Sequence, residues 1–431
     1  MPELTVPDPS LVVLVGTARA GQSTFAARHF APEEVVSRAA FGDEEAFLTA
    51  LGARLSRGLL AVADTDAARP ALRAPLVALA REFDLGTTAL VLDLPRPLLE
   101  ARGADPAAAV AQVAELRRTL PHLGAEHFGT VHVLRSPEEV DAATLRRAPL
   151  PPDRRELRGP FDFIGDVHGC LPELRELLGR LDYREGDAGL WTPPPGRTAV
   201  FLGDLTDRGP DSAGTLRLVM AMVRAGAALC VRGNHDEKLA RALEGRRVSP
   251  AHGLGATLAQ LEAAGPGLRA EVRAFLEALP AHLVLNGGRV VAAHAGLPER
   301  YQGRDSARAR RFSLYGDVDG RVGEGGLPLR GDWAPGYGGE ALVVYGHTPH
   351  TAPRWLGRTL NLDTGCAFGG HLSALRYPEL EVLGVPARAV YAEPARPLPA
   401  PYGGGHDRCG VVPQRPWPEQ TGAAPQEGEQ A

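Results

Sequence analysis

The stretch FDFIGDVHGCLPEL, residues 161–174, is a short apolar run that ends in glycine, aspartate and histidine. Two later stretches follow the same design, TAVFLGDLTDRGP at 198–210 and AALCVRGNHD at 227–236. A short apolar run bounded by glycine is typical of a buried strand of an α/β fold. Because the strand ends of an open α/β sheet point to one crevice, we expect the polar residues of these loops to meet there.

Two further loops carry metal-ligand residue types after apolar runs, AAHAG at 292–296 and YGHTPH at 345–350. A lone histidine is more often structural, and an aspartate after a strand often caps a helix, but five such loops in order favour a metal centre. Mixed carboxylate and imidazole ligands can hold two divalent ions that clamp a phosphate and activate water, with Asp204 as the predicted bridging ligand. The candidate residues are Asp166, His168, Asp204, Asp207, Arg208, Asn234, His235, His294 and His347.

The order of these loops resembles the signature of calcineurin-like metallophosphoesterases, in the branch of phosphoprotein phosphatases and diadenosine tetraphosphate hydrolases. The resemblance covers roughly residues 161–365. Longer stretches, including PLVALAREFD at 75–84, ALVVYGHTPH at 341–350 and LDTGCAFGG at 362–370, resemble the bacterial polynucleotide kinase-phosphatase family that heals RNA ends. That second resemblance extends from about Leu11 to Leu398.

The resemblance implies a role for each residue of the centre. Asp166, His168 and Asp204 would hold one metal, and the other would be held by Asp204, Asn234, His294 and His347. Arg208 would grip the phosphate, His235 would lie near the leaving oxygen and be oriented by Asp207, and Asp363 would complete the site. Asp236 stands where the family has glutamate, a change from which we expect little effect. The mixed N/O ligands suit Mn²⁺, with Ni²⁺, Co²⁺ and Fe²⁺ as alternatives.

The implied activity is removal of 3′-phosphate, 2′-phosphate or 2′,3′-cyclic phosphate from nucleic-acid ends, RNA rather than DNA. Two alternatives stay open. The same centre could act on a dinucleoside polyphosphate or a phosphoprotein, or the chain could be a binding subunit that recruits a separate RNA ligase or repair partner. No ligase domain is expected, because a short low-complexity tail follows the predicted phosphoesterase.

The stretch LVVLVGTARAGQSTFAARHF, residues 11–30, has the spacing of a phosphate-binding loop, with Gln22 where the lysine belongs. The residues of this degenerate loop are Gly16, Gly21, Gln22, Ser23 and Thr24. In the kinase half of the family a carboxylate would also stand where this chain has Arg38 or Ala39. Losing the lysine removes a cation that stabilises the transferred phosphoryl group, and losing the carboxylate removes the base. We therefore expect the kinase activity to be lost and ATP binding to be doubtful, with a docking platform as the other interpretation.

The predicted fold class is α/β, with a degenerate P-loop kinase-like parallel sheet in residues 1–150. A linker follows at 151–160, then a calcineurin-like metallophosphoesterase domain at 161–397 with two mixed sheets flanked by helices, and a disordered tail at 398–431. The first sheet is predicted from apolar strands at Leu11–Val15, Leu59–Ala63, Ala89–Leu92 and Val131–Leu134. In the second domain, a helical stretch is predicted from about Thr257 to Ala278. A net charge of −5 gives no global basic field for nucleic acid. Neither a signal peptide nor a membrane span is expected, so the predicted location is cytoplasmic.

Overall fold

The computed structural model describes residues 2–186, 189–322 and 328–400. It divides into two compact units, one formed by Met1–Arg158 and Ala278–Arg330 and the other by Gly159–Glu277 and Gly331–Ala431. The predicted tail lies outside the described residues from position 401 onward. In the described part of the chain, no helix is long and apolar enough to cross a membrane.

The first unit begins with a five-stranded parallel sheet, which confirms the parallel sheet predicted from the sequence. Its strand order is β3-β4-β2-β5-β6, and a separate parallel pair joins β1 to β7. The strands are β1 (Glu3–Asp8), β2 (Leu11–Gly16), β3 (Val35–Ser37), β4 (Ala61–Asp64), β5 (Thr87–Leu92), β6 (Thr130–Leu134) and β7 (Thr144–Pro149). The helices are α1 (Gln22–His29), α2 (Glu44–Leu55), α3 (Pro70–Glu82), α4 (Arg96–Ala101), α5 (Pro106–Thr119) and α6 (Pro137–Ala142).

Both faces of this sheet are covered by apolar side chains, as β2 shows. Val13 and Val15 belong to one buried cluster with residues of α2 and α3, whereas Val12 and Leu14 belong to another with residues of α1. A strand buried on both faces reads as a continuous apolar run rather than an alternation. The helices on the two faces therefore explain why LVVLV is apolar at every position.

The second unit contains a six-stranded mixed sheet of order β12-β11-β8-β21-β20, with β22 also paired to β21. The strands β8, β11 and β12 are parallel, and β21 is antiparallel to β8. The elements up to residue 278 are β8 (Phe161–Ile164), α7 (Leu171–Arg180), β9 (Arg184–Glu185), β10 (Trp191–Thr192), β11 (Thr198–Phe201), α8 (Ser212–Arg224), β12 (Ala228–Cys230), α9 (Asn234–Leu243), α10 (Leu254–Ala263) and α11 (Pro266–Ala278).

The remaining elements belong in part to each unit. In the first unit, β13 (His282–Leu285) and β14 (Val290–Ala293) form an antiparallel pair, and α12 (Ala307–Tyr315) and β15 (Asp317–Val322) follow. The next strands are β16 (Pro328–Gly331), β17 (Leu342–Tyr345), β18 (Arg354–Leu356), β19 (Thr359–Asn361), β20 (Asp363–Thr364), β21 (His371–Tyr377) and β22 (Glu381–Pro386). Within the second unit, β17 is parallel to β19, which is antiparallel to β18.

The helical stretch predicted from Thr257 to Ala278 is two helices rather than one. Helix α10 ends at Ala263, and α11 starts at Pro266. Between them, Gly265 has a φ of 94°, which is left-handed, and proline has no N–H for the helical hydrogen-bond ladder. The apolar period continues across this break, which is why periodicity alone did not reveal it.

Candidate metal centre

Three neighbouring parallel strands deliver most of the predicted ligands to one edge of the sheet. Asp166 and His168 follow β8, Asp204 follows β11, and Asn234 and His235 open α9 just after β12. The three strands are fully buried apart from one half-buried residue each in β11 and β12, so their positions are fixed by packing. The expected meeting of these loops follows from the parallel order β12-β11-β8.

His168, Asp204 and His235 form a compact group of possible ligands in the second unit. Each offers one ligand atom, and these atoms lie within 4.8 Å of one another. The Nδ1 atom of His168 lies 2.9 Å from the carbonyl oxygen of Thr206, and that of His235 lies 2.7 Å from Oδ2 of Asp207. Arg208 contacts Nε2 of both rings, and an arginine can only donate. Both Nε2 atoms are therefore acceptors, which is the form in which a histidine binds metal.

The carboxylates of Asp166 and Asp363 supply two buried oxygens that no donor satisfies. Among the residues that the structure describes, Oδ1 of Asp166 and Oδ2 of Asp363 have no hydrogen-bond partner. Burial raises the pKa of Asp363 to about 6, and burial together with the charges of Asp363 and Asp204 raises the pKa of Asp166. Crowded, buried and unsatisfied carboxylate oxygens are costly without a cation. These residues fit a divalent metal ion.

His347 is held beside Asp166 by the backbone. Its N–H donates to Oδ2 of Asp166 at 3.0 Å. The preceding Gly346 allows this approach, because a Cβ atom there would lie 1.9 Å from Oδ1 of Asp166. The Gly346–His347 backbone thus lies directly against the Asp166 carboxylate.

Several candidate residues have a positive φ angle, a backbone conformation that residues other than glycine rarely adopt. The φ angle is 46° for His168, 47° for Asp204, 72° for Asp207, 69° for Arg208 and 72° for His347. Each such residue costs on the order of 1–3 kcal/mol, and the conformation persists only where the surroundings enforce it. Strain of this kind concentrates at functional sites, so the concentration of strained residues in the ligand loops supports the assignment.

Asp207 links the centre to helix α10. Its Oδ2 accepts from His235, and its Oδ1 accepts from the hydroxyl of Thr257 at 2.6 Å. Arg208 reaches Nε2 of His235 at 3.1 Å and lies 4.9 Å from the centre of the Phe368 ring. The pair Asp207–His235 has the geometry of an oriented general acid or base, and Arg208 places a fixed positive charge beside it.

Asp236 and Thr257 have roles that the sequence analysis did not assign. Asp236 accepts from the N–H of Leu205 at 3.1 Å and from that of Gly233 at 3.0 Å, and so ties two ligand loops together. Burial raises the pKa of Asp236 to about 7. The N3 position of Asp236 in α9 indicated a capping residue, whereas nothing in the sequence linked Thr257 to Asp207, which stands fifty positions earlier.

Two further predicted ligands, Asn234 and His294, belong to different units. Asn234 is the first residue of α9, between Gly233 and His235, in the second unit. His294 is fully buried directly after β14, in the first unit. Their coordination of a metal stays a prediction.

The degenerate loop lies between β2 and α1 in the first unit, where a phosphate loop would stand. Gly21 has a φ of 99° and precedes α1, whose first residue is Gln22. The Gln22 amide is buried and donates to the carbonyl of Thr17 at 3.1 Å. Ser23 donates to Asp64 at 2.8 Å, and Thr24 is exposed. The side chain of Gln22 thus folds back onto the loop, and a Cβ atom on Gly16 would meet its Nε2 at 2.7 Å.

Comparison with known proteins gives a consistent result for the second half of the chain. The family model of calcineurin-like phosphoesterases matches residues 159–381. Three bacterial relatives share the name bis(5′-nucleosyl)-tetraphosphatase PrpE [asymmetrical]. The protein of Geobacillus sp. (strain WCH70) is 45% identical over 54% of this chain and 96% of its own length. The Anoxybacillus flavithermus protein is 44% identical over 55% of this chain and 99% of its own length. The Bacillus subtilis (strain 168) protein is 42% identical over 54% of this chain and 97% of its own length.

Proposed function

The chain belongs to the calcineurin-like phosphoesterase family, and on this premise we propose that it hydrolyses dinucleoside polyphosphates. It is a metal-dependent phosphoester hydrolase. The observation that carries the finer proposal is the identity of 42–45% over nearly the whole length of relatives named asymmetrical tetraphosphatases. An asymmetrical cut of a bridge of four phosphates leaves three on one nucleoside and one on the other.

The proposed metal ligands are those of the sequence analysis. Asp166, His168 and Asp204 would hold one ion, while Asp204 would share the second with Asn234, His294 and His347. When bound, the two ions would polarise the phosphoryl group and activate water for attack. The unsatisfied oxygen of Asp166 and the lone pair of His168 Nε2 support this set, and the charge of the neighbouring Asp363 acts on Asp166. The preferred metal is proposed to be Mn²⁺.

Arg208 is proposed to hold the substrate phosphate. Its guanidinium contacts Nε2 of His168 and Nε2 of His235, the ring atoms on the side of the proposed metal ligands. Its donors therefore lie where a metal-bound phosphoryl group would sit. Arginine suits this role because its planar fork can bind two phosphate oxygens at once. A single donor of this kind contributes a factor of about 10²–10³ to the rate.

His235 is proposed to protonate the leaving oxygen. Its Nδ1 atom is held by Asp207, so Nε2, which accepts from Arg208 in this structure, is the atom that would carry the proton to be given once the ring is protonated. The compact group with His168 and Asp204 makes direct metal coordination by His235 the competing role. The two roles differ in their effect on metal affinity, which separates them experimentally.

Removal of phosphate from RNA ends is the second candidate function. Its support is the first unit, where the predicted parallel sheet is present and a loop of phosphate-binding spacing follows β2. This sheet and loop resemble the kinase half of the family that heals RNA ends, and that resemblance is what favours nucleic-acid ends as the substrate.

The experiment is a comparison of kcat/KM in Mn²⁺ for bis(5′-adenosyl) tetraphosphate, an RNA with a 2′,3′-cyclic phosphate end, and a phosphoserine peptide. We expect the tetraphosphate to be preferred. Asp204→Asn should abolish turnover of every substrate, and Asp141→Asn, at an exposed carboxylate of the first unit, should leave it unchanged. Preference for the RNA would replace the proposal by the second candidate.

A further inference from the structure

A cavity of about 670 Å³ in the first unit is lined by four arginines and lies outside the metal centre. Its volume falls within the range of about 300–1,000 Å³ that is typical of small-molecule sites. The residues that matter here are Arg57, Gly58, Asp84, Arg155, Arg300 and Arg304. They come from the turn after α2, the end of α3, the stretch before β8 and the segment between β14 and α12.

Arg304 is the unusual member of this group because it is buried. It is 9% exposed, and its Nε atom has no hydrogen-bond partner among the residues that the structure describes. The nearby carboxylate of Asp84 is engaged elsewhere, since one of its oxygens accepts from Ser306 at 2.7 Å and from Arg308 at 2.9 Å. A buried guanidinium with an unsatisfied N–H is costly unless an anion joins it.

The backbone of Gly58 forms one wall against the Arg304 guanidinium. A Cβ atom at Gly58 would lie 3.0 Å from Nη2 and 3.1 Å from Nη1 of Arg304. Gly58 has a φ of 72°, so both its conformation and its lack of a side chain suit this close approach. The turn therefore fixes the direction of the guanidinium fork.

Charges of both signs surround this buried group, and Arg155 is itself paired with Asp153. Burial lowers the pKa of Arg304, Asp84 acts in the opposite direction, and the charge of Arg155 lowers it further. The guanidinium of Arg155 approaches the same segment, because a Cβ atom at Gly303 would lie 3.5 Å from its Nη2. Arg57 and Arg300 are exposed and line the outer part of the cavity, together with the exposed Glu82 and Glu299. An anion with more than one negative charge could contact the buried guanidinium and the outer arginines at the same time.

We propose that this cavity is a binding site for a phosphate-bearing small molecule, with the buried Arg304 as its anchor. Arginine forks match phosphate oxygens in pairs, and several arginines around one cavity favour a chain of phosphates over a single carboxylate. Two sources share this chemistry, a free oligophosphate and a nucleoside polyphosphate. The site does not depend on the proposed function of the metal centre.

The test is isothermal titration calorimetry on the full chain treated with EDTA, so that no turnover occurs. Inorganic tripolyphosphate is the first probe, and ATP and orthophosphate are compared with it. We expect Arg304→Gln to weaken tripolyphosphate binding by about tenfold or more, as for the loss of a charged hydrogen bond. Arg57→Ala/Arg300→Ala changes only exposed side chains, and it should weaken binding without affecting the fold.

Two controls separate this site from others. Arg28→Ala removes an exposed arginine elsewhere in the same unit and should bind as the wild type does. Arg208→Ala removes the arginine of the metal centre, and it should also retain the tripolyphosphate site. Tighter binding of ATP than of tripolyphosphate would identify a nucleotide, and equal affinity would identify the phosphate chain. Unchanged binding in a folded Arg304→Gln variant and in the double variant would overturn the proposal, as would absence of binding to the wild type.

Discussion

The imidazole of His235 and the carboxylate of Asp207 are joined at 2.7 Å, from Nδ1 to Oδ2, and both side chains are buried. The second oxygen of Asp207 is held by Thr257 at 2.6 Å. Thr257 of helix α10 therefore holds the Asp207 carboxylate, and the carboxylate holds the His235 ring. Nε2 of that ring is left facing the proposed metal ligands. This chain of contacts orients the imidazole of His235, so Asp207 and Thr257 would act as positioning residues.

Asp207→Asn is expected to lower kcat by about 10²-fold, because an amide in place of the carboxylate no longer stabilises the protonated ring. The metal content should stay at the wild-type level if His235 is the acid. Steady-state kinetics and metal analysis of the same preparation check this. A large loss of bound metal in both Asp207→Asn and His235→Asn would instead make His235 a ligand.

Thr257→Val is expected to reduce kcat by a smaller factor than Asp207→Asn, since it removes one hydrogen bond to the far oxygen of the carboxylate. A neutral hydrogen bond contributes about 0.5–1.5 kcal/mol, and one to a charged group contributes more, so we expect kcat to fall roughly tenfold. The pH profile of kcat is the informative measurement, because a positioning role moves it and a purely structural role does not. Loss of stability with an unchanged profile would refute the positioning role.

Gly346→Ala is expected to weaken metal binding strongly, because the new Cβ atom would lie 1.9 Å from Oδ1 of Asp166. The Asp166 carboxylate or the His347 turn would have to move. Gly338→Ala is the matched control, because its Cβ atom would meet nothing within 4 Å. Equal Mn²⁺ affinities for the two variants would show that Asp166 is not a ligand.

Asp363→Asn is expected to stabilise the metal-free chain more at pH 7 than at pH 4.5. Burial raises the pKa of Asp363 to about 6 in the folded state, above the value of about 3.9 for a free aspartate. The folded state therefore binds more protons between these values, and its stability falls as the pH rises through them. Thermal unfolding in EDTA measures this, and a difference between variant and wild type that does not change with pH would contradict it.

Gln22→Lys is expected to leave the chain unable to transfer phosphate from ATP to a 5′-hydroxyl RNA end. The variant restores the cation of the loop, but Arg38 and Ala39 still provide no base where the kinase family has a carboxylate. The wild type should likewise transfer nothing. Label gained at the 5′ end by either protein would show that the first unit is an active kinase.

The strands of the two sheets could be predicted from the sequence where apolar residues are also buried. The apolar runs at β2, β4 and β5 are buried on both faces, so they are visible as continuous runs, whereas β6 is only partly buried. By contrast, β7 was not predicted. Most of its side chains are exposed, and it is a strand because it pairs with β1, nearly the whole length of the domain away. Pairing between distant segments leaves little local signal.

The residues of the candidate site likewise divide into those that the sequence predicts and those that only the fold reveals. Ligand types and glycines in GDVHG and GDLTDRG were readable because each loop follows its own strand. The contacts of Thr257 with Asp207 and of Asp236 with Leu205 join separate loops, and so depend on the folded chain. The same holds for Arg304, an ordinary arginine in the sequence, whose burial against Gly58 only the fold reveals.

The most direct test of the proposed function is the identification of the products formed from bis(5′-adenosyl) tetraphosphate in Mn²⁺ by ion-exchange chromatography, with Asp204→Asn run in parallel. We expect equal amounts of ATP and AMP from the wild type and no products from the variant. Two molecules of ADP would contradict an asymmetrical cut. If the tetraphosphate stays uncleaved while the same enzyme removes phosphate from RNA ends, the proposed substrate itself is wrong.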